Sequence, residues 1–193
     1  WAYGYTPFRV DITPYVVAGD NTIAVSLSNV EESSRWYPGA GLYRPVTLEV
    51  LPKVHLDPWK TSLTTEKKYK RYIVTYKTLI PDVPQGTGLK LDVFDRDGKQ
   101  IKSHTERGIA KGVLKIYFGF QKDSVHLWSP ETPYLYSCVA TLLDGSGNPI
   151  DKITTKFGVR TIEIDSIHGF RLNGISRKIK GVCLHHDLGP LGA

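Results

Sequence analysis

Short segments of alternating apolar and polar residues recur through the middle of this chain, and turn-forming residues separate them. The clearest turns are residues 95–98 (DRDG) and 144–149 (DGSGNP). Alternation with a period of two is typical of β-strands, because successive side chains of a strand point to opposite faces of a sheet. Seven short strands with turns about every 8–12 residues predict an immunoglobulin-like β-sandwich, although the Cys…Trp…Cys core of antibody domains is missing. The predicted strands are residues 54–57, 72–79, 88–94, 101–106, 113–118, 134–143 and 150–157.

The first part of the chain carries the same alternation. Residues 8–12, 21–29 and 41–51 predict three half-buried antiparallel strands, and residues 18–21 predict the turn between the first two. Three strands are too few for a stable sandwich, so we expect further strand partners upstream of residue 1.

The last part of the chain reads as a hairpin followed by one strand. Asn173-Gly174 is a strong signal for a tight β-hairpin turn. The apolar run 179–184 predicts a short strand that opens into the polar cluster His185-His186-Asp187. No segment of the chain has a convincing helical period, so the predicted fold class is mostly β.

The charge of the chain is basic, with 25 Lys and Arg against 19 Asp and Glu and a net charge of +6. A basic balance permits binding to nucleic acid or to anionic surfaces, so the distribution of charge matters. The densest cluster, residues 67–71 (KKYKR), leads into a predicted strand and is interpreted as a solvated face or a guarded sheet edge. No nucleic-acid-reading motif accompanies it, and no nucleic-acid partner is expected.

No apolar run approaches the ~18 residues of a membrane span, so no membrane partner is expected. The chain has no methionine and begins within a strand-like pattern, and it is therefore interpreted as an internal part of a longer protein. No signal peptide is visible, and localisation is unknown, with a periplasmic or secreted location left open. The oligomeric state is equally unknown.

Cys138 and Cys183 each lie in an apolar segment and are interpreted as buried thiols.

Four motifs follow one another in an order that points to a known family. They are residues 33–46 (SSRWYPGAGLYRPV), 127–136 (LWSPETPYLY), 157–160 (FGVR) with 170–174 (FRLNG), and 180–187 (KGVCLHHD). The first resembles the end of the sugar-binding β-sandwich of glycoside hydrolase family 2, and the second resembles a signature of its immunoglobulin-like domain. The others are similar to the entry into its catalytic barrel. The form HHDLGPLG at 185–192 most resembles the β-galactosidase branch.

The resemblance implies three parts. Residues 1–52 would be the C-terminal part of a jelly-roll-like sugar-binding β-sandwich, 53–160 the immunoglobulin-like β-sandwich, and 161–193 the hairpin and first strand of a truncated (β/α)8 (TIM) barrel. It implies a retaining exo-β-glycosidase, a β-galactosidase that hydrolyses terminal non-reducing β-galactosides. A β-glucuronidase or β-mannosidase of the same family is the alternative, and so is a non-catalytic carbohydrate-binding β-sandwich module. The expected partner is a carbohydrate with a terminal β-linked sugar.

The resemblance also implies which residues line the sugar pocket. At the end of a barrel strand, His185, His186 and Asp187 would reach the catalytic face, where an imidazole can donate to sugar hydroxyls. His185 best matches the pocket histidine of the family. The alternative is that one histidine only stabilises the fold. A metal site is disfavoured, because adjacent side chains of an extended chain point to opposite faces.

A second pair of candidate substrate-binding residues, Arg35 and Trp36, lies in a loop that residues 38–41 (PGAG) hold in a tight turn. An exposed indole packs well against a sugar ring, and a guanidinium donates to hydroxyls or a carboxylate. The alternative is that Trp36 packs against a neighbouring domain and Arg35 pairs locally. Residues 127–136 are interpreted as structural, with Trp128 and Tyr136 closing one end of the sandwich.

Retaining glycoside hydrolysis uses two carboxylic acids about 5–5.5 Å apart. In the family that the chain resembles, both are glutamates on later barrel strands, so they are expected beyond Ala193. No catalytic residue is therefore predicted among residues 1–193, and these residues alone are expected to show no turnover. No cofactor or metal ligand set is identifiable in the sequence, although β-galactosidases of this family often use cations.

Overall fold

The computed structural model describes residues 6–28, 41–42 and 45–183, and the predicted mostly β fold is confirmed. The chain divides into two compact units. The larger unit, Leu48–Gly181, contains all ten strands of the described residues.

Seven strands of the larger unit form two antiparallel sheets. Their bounds are β1 Ser62–Lys68, β2 Arg71–Ile80, β3 Gly88–Phe94, β4 Gln100–Glu106, β5 Gly112–Gln121, β6 Tyr136–Leu143 and β7 Pro149–Phe157. The three-stranded sheet has the order β1-β2-β5, and the four-stranded sheet has the order β4-β3-β6-β7. Two antiparallel sheets of three and four strands are the architecture of an immunoglobulin-like sandwich, which the alternation predicted.

The two sheets share one hydrophobic core, built from alternate residues of the central strands. Val74 and Tyr76 of β2 belong to the same buried cluster as Leu89 and Leu91 of β3 and Leu142 of β6. All five are at most 1% exposed. Burying one such side chain contributes roughly 1.5–3 kcal/mol, so the alternating pattern accounts for both the strands and the cohesion of the sheets.

A third sheet follows the sandwich. It comprises β8 Ile162–Asp165, β9 Gly169–Leu172 and β10 Ile175–Ser176, with β9 in the middle. The turn between β9 and β10 is Asn173-Gly174, with φ angles of +56° and +80°. Positive φ at both central residues is what a tight hairpin turn of the mirror-image type requires, so the predicted hairpin is confirmed.

Inside the sandwich one prediction was wrong and one strand was missed. Residues 54–57 are a loop rather than a strand. In that loop Leu56 is fully buried, and its N–H donates to Asp151 Oδ2 at 2.8 Å. Its burial therefore comes from this single anchored residue and not from the hydrogen-bond ladder of a strand. The edge strand β1 was missed because its sequence, SLTTEKK, contains a single large apolar residue.

The predicted strands at 8–12, 21–29, 41–51 and 179–184 are absent from the part of the chain that the structure describes. The described portions of 8–12, 21–29 and 41–51, and residues 179–183 of the last predicted strand, have no strand assignment. A strand requires a hydrogen-bonded neighbour, and Val10 and Val25 of the alternating pattern stay 67% and 51% exposed. The predicted turn at 18–21 is present, because Asn21 Nδ2 donates to the carbonyl oxygens of Val17 and Gly19 at 2.8 and 2.9 Å.

Candidate functional site

The predicted sugar-binding residues all lie outside the described residues. They are Arg35, Trp36, His185, His186 and Asp187. The structure does describe the motifs at 127–136, 157–160 and 170–174, and it brings these three segments together at one end of the sandwich. We call this place the Trp128 junction; its members are Trp128, Glu131, Gly158, Arg160, Asn173 and Arg177.

Trp128 lies directly on the backbone of the FGVR motif. The backbone N–H of Trp128 donates to Val159 O at 2.9 Å, and the Arg160 guanidinium carbon lies 4.6 Å from the indole centroid. A Cβ atom built on Gly158 would lie 2.6 Å from Trp128 Cβ, a distance that no real side chain tolerates. Only glycine therefore allows this indole to pack so closely, and the cation above the ring adds a favourable electrostatic contact.

Asn173 connects the β9–β10 turn to Trp128 and to Thr161, the residue that follows the FGVR motif. Its Oδ1 accepts from the Thr161 N–H at 3.0 Å, and its Nδ2 donates to Trp128 O at 3.0 Å. Its own N–H donates to Thr161 O at 2.9 Å. One asparagine thus satisfies polar groups of two other segments while it occupies the left-handed backbone region, which asparagine tolerates better than most residues.

An ion pair spans the outside of the junction. Arg177 Nη1 donates to Glu131 Oε1 at 2.5 Å, and the Arg177 N–H donates to Phe170 O at 3.0 Å. The hydrogen bond from Arg177 is the main reason that the pKa of Glu131 falls from 4.5 to about 2. Because Glu131 is exposed, this pair orients the residues after β10 more than it stabilises the fold.

The structural interpretation of residues 127–136 agrees with this geometry. Tyr136 is 2% exposed, and its ring centroid lies 5.0 Å from that of Phe120 and 5.7 Å from that of Phe157. Its hydroxyl accepts from the His126 N–H at 2.9 Å. The sequence did not reveal the connection from Asn173 to Trp128. The only available signal was an asparagine that the hairpin turn alone already explained.

The contacts of the junction hold the hairpin against the sandwich. Among residues 6–28, 41–42 and 45–183, no group of three His, Cys, Asp or Glu side chains could hold a metal ion. The same residues include no helix of the length and apolarity needed to cross a membrane.

Cys138 is buried, and desolvation raises the pKa of its thiol to about 12. Cys183 is exposed, so its predicted burial was wrong: the described residues of its segment, 179–183, have no strand assignment and are all exposed.

Comparison with known proteins identifies the family. A sequence profile of the glycosyl hydrolases family 2 matches residues 54–160, more than half of the chain. The chain belongs to glycosyl hydrolase family 2. The profile covers the sandwich and two of the motifs that meet at the Trp128 junction, LWSPETPYLY and FGVR.

Relatives and solved structures agree with that membership. Beta-galactosidase BoGH2A of Bacteroides ovatus is 36% identical over 99% of this chain and 23% of its own length. A candidate beta-glucuronidase of Formosa agariphila is 37% identical over 98% of this chain and 18% of its own length. The structure of a family 2 member from Bacteroides cellulosilyticus matches with a TM-score of 0.58 and 28% identity, over 71% of this chain and 19% of that one. This chain therefore spans about a fifth of the length of each of these three proteins.

Proposed function

We propose that this chain is part of a retaining exo-β-glycosidase and that the enzyme is a β-galactosidase. The observation that carries the proposal is the match over nearly the whole chain to a β-galactosidase, at 36% identity. The resemblance of residues 185–192 to the β-galactosidase branch supports the same sugar. A β-glucuronidase is the second candidate, because a relative with that name is equally similar at 37% identity.

The proposed enzyme has the three parts that the motifs imply. Residues 1–52 complete a sugar-binding β-sandwich, 53–160 form the immunoglobulin-like sandwich, and 161–193 begin a catalytic barrel. Supporting this division, β8–β10 form a sheet of their own that is fastened to the sandwich at the Trp128 junction.

The chemistry of the proposed site follows from its residue types. The imidazole group of at least one of the two histidines, His185 before His186, donates to or accepts from sugar hydroxyls, and the Asp187 carboxylate accepts from them. Arg35 and Trp36 contribute a guanidinium and an aromatic face at the edge of the pocket. The nucleophile and the acid/base, two carboxyl groups about 5–5.5 Å apart in a retaining enzyme, are supplied by residues beyond 193.

The test is an assay of the full-length gene product on the nitrophenyl β-galactoside, β-glucuronide and β-mannoside. We expect turnover of the galactoside in preference to the other two. Preference for the glucuronide would replace the first candidate with the second, and failure on all three substrates, with binding of sugar retained, would favour the non-catalytic carbohydrate-binding module. A purified protein of residues 1–193 serves as the control, and measurable turnover by it would contradict the placement of the carboxylates.

A further inference from the structure

The outward face of the three-stranded sheet carries an unusual arrangement of positive charge. Lys68 of β1 lies opposite Arg71 of β2, and Lys77 of β2 lies opposite Lys115 of β5. All four side chains are exposed. Arg71 and Lys77 are six positions apart along β2, so the two cationic pairs are about 20 Å apart at ~3.4 Å per residue.

Stability does not explain this arrangement. Like charges directly opposite each other on neighbouring strands are destabilising. Protection of a sheet edge explains lysines on the edge strands β1 and β5, but Arg71 and Lys77 lie on the central strand. Of the outward residues on these three strands, all within the described chain, Glu66 is the acidic one. It is paired with Lys68 at 2.8 Å, so the remaining cations keep a net positive field on this face.

An aromatic side chain stands between the two cationic pairs. Tyr117 of β5 is 61% exposed, and its cross-strand neighbour is the small Thr75 of β2. In the next outward row Gly119 lies opposite Ile73, and a Cβ built on Gly119 would lie 3.4 Å from Ile73 Cδ1, so an aliphatic side chain covers this glycine. The exposed phenol ring of Tyr117 offers an apolar face for a sugar ring and a hydroxyl for hydrogen bonds.

One of the cations is held in place before any ligand binds. With the Gln121 amide oriented to accept, its oxygen lies 3.0 Å from Arg71 Nη2 and 3.2 Å from Nε. This contact orients the planar guanidinium, which binds carboxylates through two parallel hydrogen bonds. Ordering the side chain in advance reduces the entropy that a ligand must remove on binding.

We propose that this face, the outward side of β1, β2 and β5 around Tyr117, binds an acidic polysaccharide that carries uronate carboxylates. Glu66 neutralises Lys68, and the remaining cations, Arg71 and, about 20 Å away, Lys77 with Lys115, suit a polymer with sparse charge. Duplex nucleic acid has one charge per ~1.7 Å of helix axis, which calls for a denser basic surface. The proposal rests on the carbohydrate chemistry of the proposed function but does not depend on which sugar the enzyme cleaves.

The test measures binding of the full-length protein to polygalacturonate at low salt by affinity electrophoresis, with neutral galactan as the uncharged control. We expect retardation by polygalacturonate that declines as salt rises. The double variant Lys77→Gln/Lys115→Gln should weaken binding roughly three- to tenfold, the size expected for the loss of two exposed ion pairs, and Tyr117→Ala should weaken it separately. The matched control, Lys152→Gln/Lys156→Gln, removes the same charge from exposed positions of β7 on the other sheet and should bind like the parent.

Each other outcome overturns the proposal. Equal loss in both double variants would show an effect of net charge alone, and absence of retardation would remove the site. Tighter binding of chondroitin sulfate or of duplex DNA would assign the face to sulfate groups or to nucleic acid instead. We expect the melting temperature of Lys77→Gln/Lys115→Gln to be unchanged or higher, because the two facing like charges are removed, and this result would exclude unfolding as the cause of weaker binding. Because binding needs no turnover, loss of glycosidase activity and loss of this binding are independent results.

Discussion

The side-chain amide of Asn173 donates a hydrogen bond of 3.0 Å to the carbonyl oxygen of Trp128, although the two residues are 45 positions apart in the chain. The same side chain accepts from the Thr161 N–H at 3.0 Å. A residue of the hairpin turn therefore provides hydrogen-bond partners for two backbone groups at this end of the sandwich, the Thr161 N–H and the Trp128 carbonyl oxygen. This relationship explains how a small sheet, too short to be stable alone, keeps its position beside the sandwich.

Replacement of Asn173 by Ala is expected to lower the free energy of unfolding by about 1–3 kcal/mol, because a partly buried N–H and a carbonyl oxygen lose their partners. Asn173→Gly removes the same bonds but suits the positive φ, so it should be less destabilising than Ala. Urea unfolding measures both variants. Asn148→Ala is the control, since the Asn148 side-chain amide donates only to Asp144, in a solvent-exposed hydrogen bond. An equal, small effect in all three variants would contradict the role given to Asn173.

Gly158→Ala is expected to destabilise the protein by about 1–3 kcal/mol, the usual range for overpacking. The added methyl group would lie 2.6 Å from Trp128 Cβ, so the indole must move away from Arg160. Urea unfolding, monitored by tryptophan fluorescence, measures both the loss of stability and the change in the surroundings of the indole. Gly181→Ala is the matched control, because a Cβ there meets nothing within 4 Å. A Gly158→Ala protein as stable as Gly181→Ala would show that Trp128 packs elsewhere.

Much of the sandwich was predictable because its strands follow one simple rule. The predicted bounds 88–94 coincide with β3, in which Leu89, Leu91 and Val93 alternate toward the core. Residues 54–57 alternate too, yet only tertiary structure shows that Leu56 is anchored by Asp151 without a strand.

The Trp128 junction was not predictable for a related reason. The motifs could be recognised one by one, but a hydrogen bond across 45 residues leaves no local pattern. The predicted pocket residues, from Arg35 to Asp187, remain predictions, because all of them lie outside the residues that the structure describes.

The contribution of the Glu131–Arg177 pair to stability is expected to depend on pH. The pKa of Glu131 is lowered from 4.5 to about 2 in the folded protein. A depressed carboxyl pKa stabilises the fold above its unfolded value, and this contribution is lost as pH falls through the folded value. The stability difference between the parent and Glu131→Gln should therefore be constant above about pH 5 and disappear between about pH 4.5 and 2. Chemical denaturation at a series of pH values measures it, and a difference that persists at pH 2 would contradict the ion pair.

The two cysteines are expected to differ in reactivity. Cys138 is 1% exposed and its pKa is raised to about 12 by desolvation, so it carries almost no thiolate at pH 8. Cys183 is exposed. Iodoacetamide should label one thiol in the native chain and two in denaturant, as counted by mass spectrometry. In Cys183→Ser the native chain should take no label; labelling of native Cys138 would show that the core opens.

His185 and His186 provide the sharpest test of the proposed pocket. Adjacent side chains of an extended segment point to opposite faces, so only one of them can reach a bound sugar. We expect His185→Ala in the full-length enzyme to lower kcat/KM by about 10²-fold or more, as for loss of one hydrogen-bond donor to the transition state. His186→Ala should retain activity within about tenfold, with an unchanged melting temperature in both variants. A larger loss for His186 would exchange the two roles, and full activity in both variants would remove this cluster from the substrate pocket.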